Sequence, residues 1–164
     1  MQDLLEPASR VGALLARRRQ TVSVAESSTG GLLCAALLAV PGASTYFRGG
    51  SVIYTGKARA AFGIIPDDMT GLRSSSQPYA RLVAERARLR LGADWGLAET
   101  GAAGPTGNRY GDAAGHSCLA VSGSVALSRV IATHSEDRVA NMRAFALVAL
   151  ALLQQALTNA KTDH

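Results

Sequence analysis

Thr21-Val22-Ser23-Val24-Ala25 runs straight into Glu26-Ser27-Ser28-Thr29-Gly30-Gly31 and then into Leu32-Leu33-Cys34-Ala35-Ala36-Leu37-Leu38, and this stretch decides the fold. The first five residues are short and rich in β-branched side chains, as a strand requires. The polar turn that follows feeds an apolar run expected to be helical from about 28 to 40, where Pro41-Gly42 stops it. A strand, a polar turn and a helix make the unit from which α/β folds are assembled.

Working outward, Leu4, Ala8, Val11 and Leu15 recur at i, i+4, i+7 and i+11, so residues 3–19 should form an amphipathic helix. It ends in Arg17-Arg18-Arg19, where cations suit the helix dipole. Downstream, 51–55 reads as a second strand, 57–62 as a short helix and 63–75 as loop. Residues 76–91 form a helix with Ser76 as cap and Tyr79, Val83, Ala87 and Leu91 on one stripe. A third strand is expected at 95–99, and a hairpin at 116–122 and 126–133 turning at Gly123-Ser124. A buried helix should close the chain over 136–158. This order predicts a three-layer α/β/α sandwich with a mixed sheet.

The chain has 164 residues, 48% of them hydrophobic and 18% charged, enough apolar material for one core, and it is expected to be a single domain over 1–164. The longest continuous apolar run, Ala144 to Leu153, is ten residues, short of the ~18 a membrane span needs. The first six residues carry two acids and no basic group, so no secretory or transit signal is read there and a cytoplasmic location is expected. Cys34 and Cys118 read as small core residues, and His116, His134 and His164 show no ligand spacing, so neither metal nor cofactor is expected. Net charge is +5, but the arginines are scattered along predicted helices, and no nucleic-acid role is expected.

Two loops fall at the carboxyl ends of predicted strands, where open α/β sheets place their ligands. In the first, Ser27, Ser28 and Thr29 offer hydroxyls ahead of a helix start, which suits either an anion or a simple helix cap. In the second, glycines at 101, 104 and 107 let backbone amides approach a ligand, without the pattern of a phosphate-binding or dinucleotide-binding loop. For catalysis without metal, a serine activated by lysine or tyrosine is the available chemistry. The segment 44–59 holds Ser44, Tyr54, Lys57 and Arg59, and Lys57 is either the base or a solvated lysine.

These motifs also carry a resemblance. Ala25-Glu26-Ser27-Ser28-Thr29-Gly30-Gly31 is similar to the Ala-Glu-Ser-Cys-Thr-Gly-Gly signature of the C-terminal domain of the CinA, or competence/damage-inducible, family. Thr100-Gly101-Ala102-Ala103-Gly104-Pro105 resembles that family's Thr-Gly-Ile-Ala-Gly-Pro. Pro41-Gly42-Ala43-Ser44, Phe47-Arg48-Gly49-Gly50 and Val52-Ile53-Tyr54 fall between them in the family's order. The resemblance implies hydrolysis of the amide of nicotinamide mononucleotide to nicotinic acid mononucleotide and ammonia, a pyridine-nucleotide salvage step, by a cofactor-free homo-oligomer. It implies Ser44 as nucleophile with Tyr54 beside it. It also implies substrate contacts from Glu26, Ser27, Ser28, Thr29, Gly30, Thr100, Gly101, Ala102 and Gly104. Arg138, in Glu136-Asp137-Arg138, resembles the family's Gly-Asp-Arg and is expected to meet a phosphate or carboxylate.

Tyr54-Thr55-Gly56-Lys57-Ala58-Arg59 aligns with the family's Tyr-Ser-Asn-Glu-Ala-Lys, which puts Arg59 where the resemblance expects the basic lysine. Arginine stays protonated and cannot act as a general base. Lys57, two positions earlier, would point roughly 200° away on a helix. Asp112-Ala113-Ala114-Gly115-His116 also stands where the family has Lys-Pro-Val-Gly-Thr. The expectations are therefore an amidohydrolase with an adapted base or a non-catalytic relative that keeps the nucleotide pocket.

Overall fold

A computed structural model describes residues 1–161; His164 lies outside them. The elements in order are α1 (Gln2–Arg18), β1 (Val22–Glu26), α2 (Leu32–Leu38), β2 (Phe47–Val52), α3 (Gly56–Ala61), α4 (Gln77–Arg90), β3 (Trp95–Ala102), β4 (His116–Ser122), β5 (Leu127–Ala132) and α5 (Arg138–Asn159). Short 3-10 turns occupy Ala43–Thr45 and Pro66–Met69.

The five strands form one mixed sheet in the order β2-β1-β3-β4-β5. β1 runs parallel to both β2 and β3, and β4 and β5 return antiparallel, so the expected hairpin is present. β1 is an interior strand, flanked by β2 and β3, and is buried along its whole length. Val22 and Val24 point into the core shared with α1, α2 and α5, while Ala25 points to the core under α4. The helices thus cover both faces, giving the predicted three layers.

α4 lies so close to β3 that a Cβ on Gly96 would collide with the Ala84 carbonyl. α5 is 22 residues long, with a window of mean hydropathy 1.3 that by length and composition would suit a membrane span. Here it packs across β3, β4 and β5 and against α1 and α2, with Phe145, Leu150 and Leu153 fully buried. Its apolar content therefore belongs to the core of the sandwich.

Two boundaries differ from expectation in ways that shape the site. β2 begins at Phe47 and ends at Val52, so Tyr54 and Thr55 leave the strand and form the loop at its carboxyl end. α2 begins at Leu32, four residues later than expected, because 27–31 are held as a turn by side-chain partners described below. Gly31 at φ 102 adopts the left-handed backbone that lets the chain enter the helix from that turn.

Candidate active site

The parallel strands β1, β2 and β3 all end on one rim, and a cavity of about 350 Å³ opens there. Ser27 comes from the end of β1, Ile53, Tyr54 and Thr55 from the end of β2, and Thr100 and Gly101 from the end of β3. α3 adds Gly56 and Arg59, the loop before α4 adds Ser74 and Ser75, and the loop after β3 adds Asn108, Arg109 and Tyr110. The volume lies within the about 300–1,000 Å³ typical of small-molecule sites.

Two buried carboxylates build the rim from beneath. Glu99 accepts from Ser27 N at 3.1 Å, Thr29 N at 2.9 Å, Ser28 Oγ at 2.5 Å, Thr29 Oγ1 at 3.1 Å and Ser117 Oγ at 2.8 Å. Glu26 accepts from Thr29 Oγ1 at 2.7 Å and from the first free amides of α2, Leu33 N at 3.1 Å and Cys34 N at 3.0 Å. The expected contacts of Glu26, Ser28 and Thr29 with a ligand are corrected by this arrangement. All three are buried, and their polar atoms are already partnered inside the protein. The helix start expected to receive an anion is filled by the Glu26 carboxylate, which serves as the cap in place of a serine.

Ser44, Lys57, Gly30, Ala102 and Gly104, also expected at the site, do not line the cavity. Ser44 sits exposed in the turn before β2, whereas Tyr54 follows β2, so the strand separates them by roughly 20 Å at ~3.3 Å per residue. Within one chain they cannot share a reaction centre. Lys57 is exposed on α3 and outside the cavity, as its helical position requires, so it does not stand in for the base. Gly30 is exposed and does not line the cavity, and Ala102 and Gly104 are buried outside its lining. Arg138 lies at the rim, donating to the Gly104 carbonyl at 2.5 Å and to the Tyr54 hydroxyl at 3.2 Å. Ser27, Tyr54, Arg59, Thr100 and Gly101 are the expected residues that the fold does bring together.

The site is cationic. Arg59 Nη1 donates to Ser74 Oγ at 3.1 Å, and among the described residues neither Arg59, Arg109 nor Arg138 forms an ion pair with a carboxylate. Tyr110 lies between two guanidinium groups, with Arg109 at 5.1 Å and Arg73 at 5.4 Å from its ring centroid. Arg109 Nη2 also donates to the Tyr110 hydroxyl at 3.0 Å. Hydrogen bonds from Arg109 and then Ser74 hold the phenol below its ordinary pKa, outweighing its burial. Tyr79, by contrast, is pushed up by burial.

The loop carrying Arg109 and Tyr110 is tied down. Asp112 pairs with Arg73 at 2.6 Å and accepts from Asn108 Nδ2 at 2.8 Å, and the Arg73 guanidinium holds its carboxyl below the usual range. His116 Nε2 lies 3.0 Å from the Ser75 carbonyl and 3.5 Å from Cys118 Sγ. Sequence reasoning missed Glu99, Ser74, Arg109 and Tyr110. An acid inside the otherwise apolar strand Trp95–Ala102 was the one available signal, and it pointed to Glu99.

A three-layer α/β domain with an arginine-lined pocket at the carboxyl ends of its parallel strands is a small-molecule site of the kind open α/β sheets build. The model of the CinA C-terminal domain matches residues 5–157, and the chain belongs to that family. A CinA-like protein of Gloeobacter violaceus is 47% identical over 107 residues, 65% of this chain and 25% of that protein. One from Desulfosudis oleivorans is 36% identical over 152 residues, 91% of this chain and 37% of that protein. The chain thus spans about a quarter to a third of the length of these curated relatives. Among solved structures, competence/damage inducible protein CihA from Agrobacterium tumefaciens superposes with a TM-score of 0.87 at 31% identity, covering 96% of each chain. A CinA superfamily protein from Klebsiella pneumoniae gives 0.89 at 25% identity, over 96% of this chain and 99% of that one.

Proposed function

We propose that this chain is an amide hydrolase acting on nicotinamide mononucleotide, releasing ammonia and nicotinic acid mononucleotide, with a pocket serine as nucleophile. The observation that carries the reading is the cavity itself: Arg59 and Arg109 enter it without carboxylate partners among the described residues, beside the hydroxyls of Ser27, Ser74 and Thr100. Unpaired guanidinium groups at a concave site suit a phosphate monoester, which they can grip with paired, charge-assisted hydrogen bonds. Membership of the CinA family supports the substrate class.

The chemistry asked of the protein is modest in parts. A phosphate anchored by arginine fixes the nucleotide, the carbonyl of the amide is brought to a hydroxyl, and a group nearby must take and return one proton. A second reading, a nucleotide-binding relative without turnover, is favoured by one observation: Arg59 occupies the pocket and Lys57 does not.

Ammonia release from nicotinamide mononucleotide by the purified protein separates the two. Steady release that falls at least about tenfold in kcat/KM in Arg109→Gln supports the hydrolase. Tight binding by calorimetry with no ammonia supports the binding relative, and absence of both overturns the substrate class.

A further inference from the structure

We infer that His116 is a pH-operated latch on this pocket: on gaining a proton it draws in the two loops that present Ser74, Arg109 and Tyr110, and so tightens the hold on an anionic ligand. The inference rests on the proposed mononucleotide only for the identity of that ligand, because the latch is built from contacts inside the protein. His116 opens β4 and stands outside the lining of the cavity. Its Nε2 lies 3.0 Å from the Ser75 carbonyl and 3.7 Å from Asp112 Oδ1. A carbonyl only accepts, so Nε2 carries a hydrogen in either charge state, and the proton gained or lost is the one on Nδ1.

Each loop is anchored at the atom His116 reaches. Ser75 has φ 56, a left-handed conformation uncommon outside glycine, and strain of this kind persists only where the surroundings over-determine it. Its amide donates to Thr100 Oγ1 at 3.2 Å, and its carbonyl accepts from Cys118 Sγ at 3.5 Å as well as from His116. Ser74, its neighbour, lines the cavity. On the other loop, Asp112 Oδ2 accepts from Arg73 Nη1 at 2.6 Å and Asn108 Nδ2 at 2.8 Å, while Oδ1 accepts from Arg73 Nη2 at 3.1 Å and faces His116. Asn108 Oδ1 accepts from the Tyr110 and Asp112 amides at 3.0 and 3.2 Å, so the segment 108–112 is folded around this carboxylate.

The groups facing the ring are Asp112, which favours the imidazolium, Arg73, which opposes it but is paired to the same carboxylate, and the Cys118 thiol at 3.5 Å. Burial pushes that thiol up to about 11, so it stays neutral. Opposite His116 on β3 and β5 stand Ala102 and Ala132, which carry no charge. The imidazole is 18% exposed, which lets solvent protons reach it. Protonation makes the bond to Ser75 charge-assisted and adds an ion pair to Asp112, and both pull a pocket loop toward β4. Imidazoles change charge between about pH 5 and 8, a range in which neither Asp112 nor Cys118 titrates. Loops already held do not have to be ordered by the ligand, so affinity rises as pH falls through that range.

The test compares the wild type with His116→Gln and Asp112→Asn, read by calorimetric binding of nicotinamide mononucleotide and by hydrogen exchange of the Ser75 and Asn108 amides. Glutamine keeps a nitrogen donor for the Ser75 carbonyl but does not titrate. Effects of pH on the ligand's phosphate and on intrinsic exchange are common to all three proteins and cancel in their ratios. Relative to His116→Gln, the wild type is expected to gain about 2–5-fold in both affinity and amide protection between about pH 8 and pH 5.5, as a partly exposed ion pair implies. Asp112→Asn should lose that gain. Amide protection that rises in this way in a protein that does not bind the mononucleotide supports the latch and overturns the substrate reading. The same pH dependence in all three proteins overturns the latch, and protection that rises while the affinity ratio stays flat overturns its coupling to the pocket.

Discussion

Arg59 Nη1 and Ser74 Oγ meet at 3.1 Å across the floor of the pocket, joining helix α3 to the loop before α4. The guanidinium has no carboxylate partner among the described residues, so its charge remains available to an anionic ligand. Arg59→Gln is therefore expected to weaken binding of nicotinamide mononucleotide by about tenfold or more, the worth of one charge-assisted hydrogen bond. Lys57→Gln, two residues away and facing solvent, should leave it unchanged. Titration calorimetry on both variants checks the pair, and equal losses would contradict the assignment.

Glu99 holds the turn 27–29 through four hydrogen bonds and accepts a fifth from Ser117 Oγ; Ser27 N, Thr29 N and Ser28 Oγ lose their partner when it is removed, whereas Thr29 Oγ1 keeps Glu26 and Ser117 Oγ keeps the Thr100 carbonyl. Glu99→Ala should cost about 3 kcal/mol or more, since each buried donor left without a partner costs about 1–3 kcal/mol. Urea unfolding followed by far-ultraviolet circular dichroism measures it, and a loss below about 1 kcal/mol would mean that the turn does not depend on this carboxylate.

Burial pushes the Cys118 thiol up from 9.0 to about 11. The folded protein thus keeps a proton that the unfolded chain releases, so the stabilisation is full below pH 9.0 and declines as pH rises toward about 11. Tyr46 and Tyr79, also raised by burial, act in the same direction at higher pH. Unfolding free energy should therefore fall between pH 9 and 11, and the fall should be smaller in Cys118→Ala. An identical slope in the variant would show that the thiol takes no part.

The opposite sign applies to Asp112, whose carboxyl is held low by Arg73. Its contribution is present above the ordinary value of 3.8 and is lost as pH falls through the lower folded value. Asp112→Asn should cost about 1 kcal/mol or less for this partly exposed pair. It should weaken nucleotide binding more clearly, because the loop presenting Arg109 and Tyr110 loses its anchor. Stability and affinity measured on the same preparation would contradict this if both were unchanged.

The layers of the fold were legible in the sequence wherever periodicity is strong. Leu4 to Leu15, Tyr79 to Ala87 and the hairpin at Gly123-Ser124 each carry a local pattern that burial alone enforces. The site was legible where it coincides with a strand end, at Ser27, Tyr54, Thr100 and Gly101, and at Arg59 on the short helix that follows β2. Ser44 and Tyr54 stand ten positions apart in the chain, yet an extended strand between them carries them to opposite ends of the sheet. The polar run at 26–29 looked ligand-facing because its donors were visible and their acceptor, Glu99, was seventy positions away. Arg109 and Tyr110 lie in a loop without periodicity, and only the fold puts them across from Ser74.

The measurement closest to the central claim compares ammonia release from nicotinamide mononucleotide and from nicotinamide riboside, which differ only by the phosphate that the arginines are assigned to hold. The expected result is turnover of the mononucleotide with kcat/KM about 10²-fold or more above that of the riboside, as loss of a bidentate phosphate contact implies. Equal turnover of the two, or none of either, would contradict a phosphate-anchored amidase at this pocket.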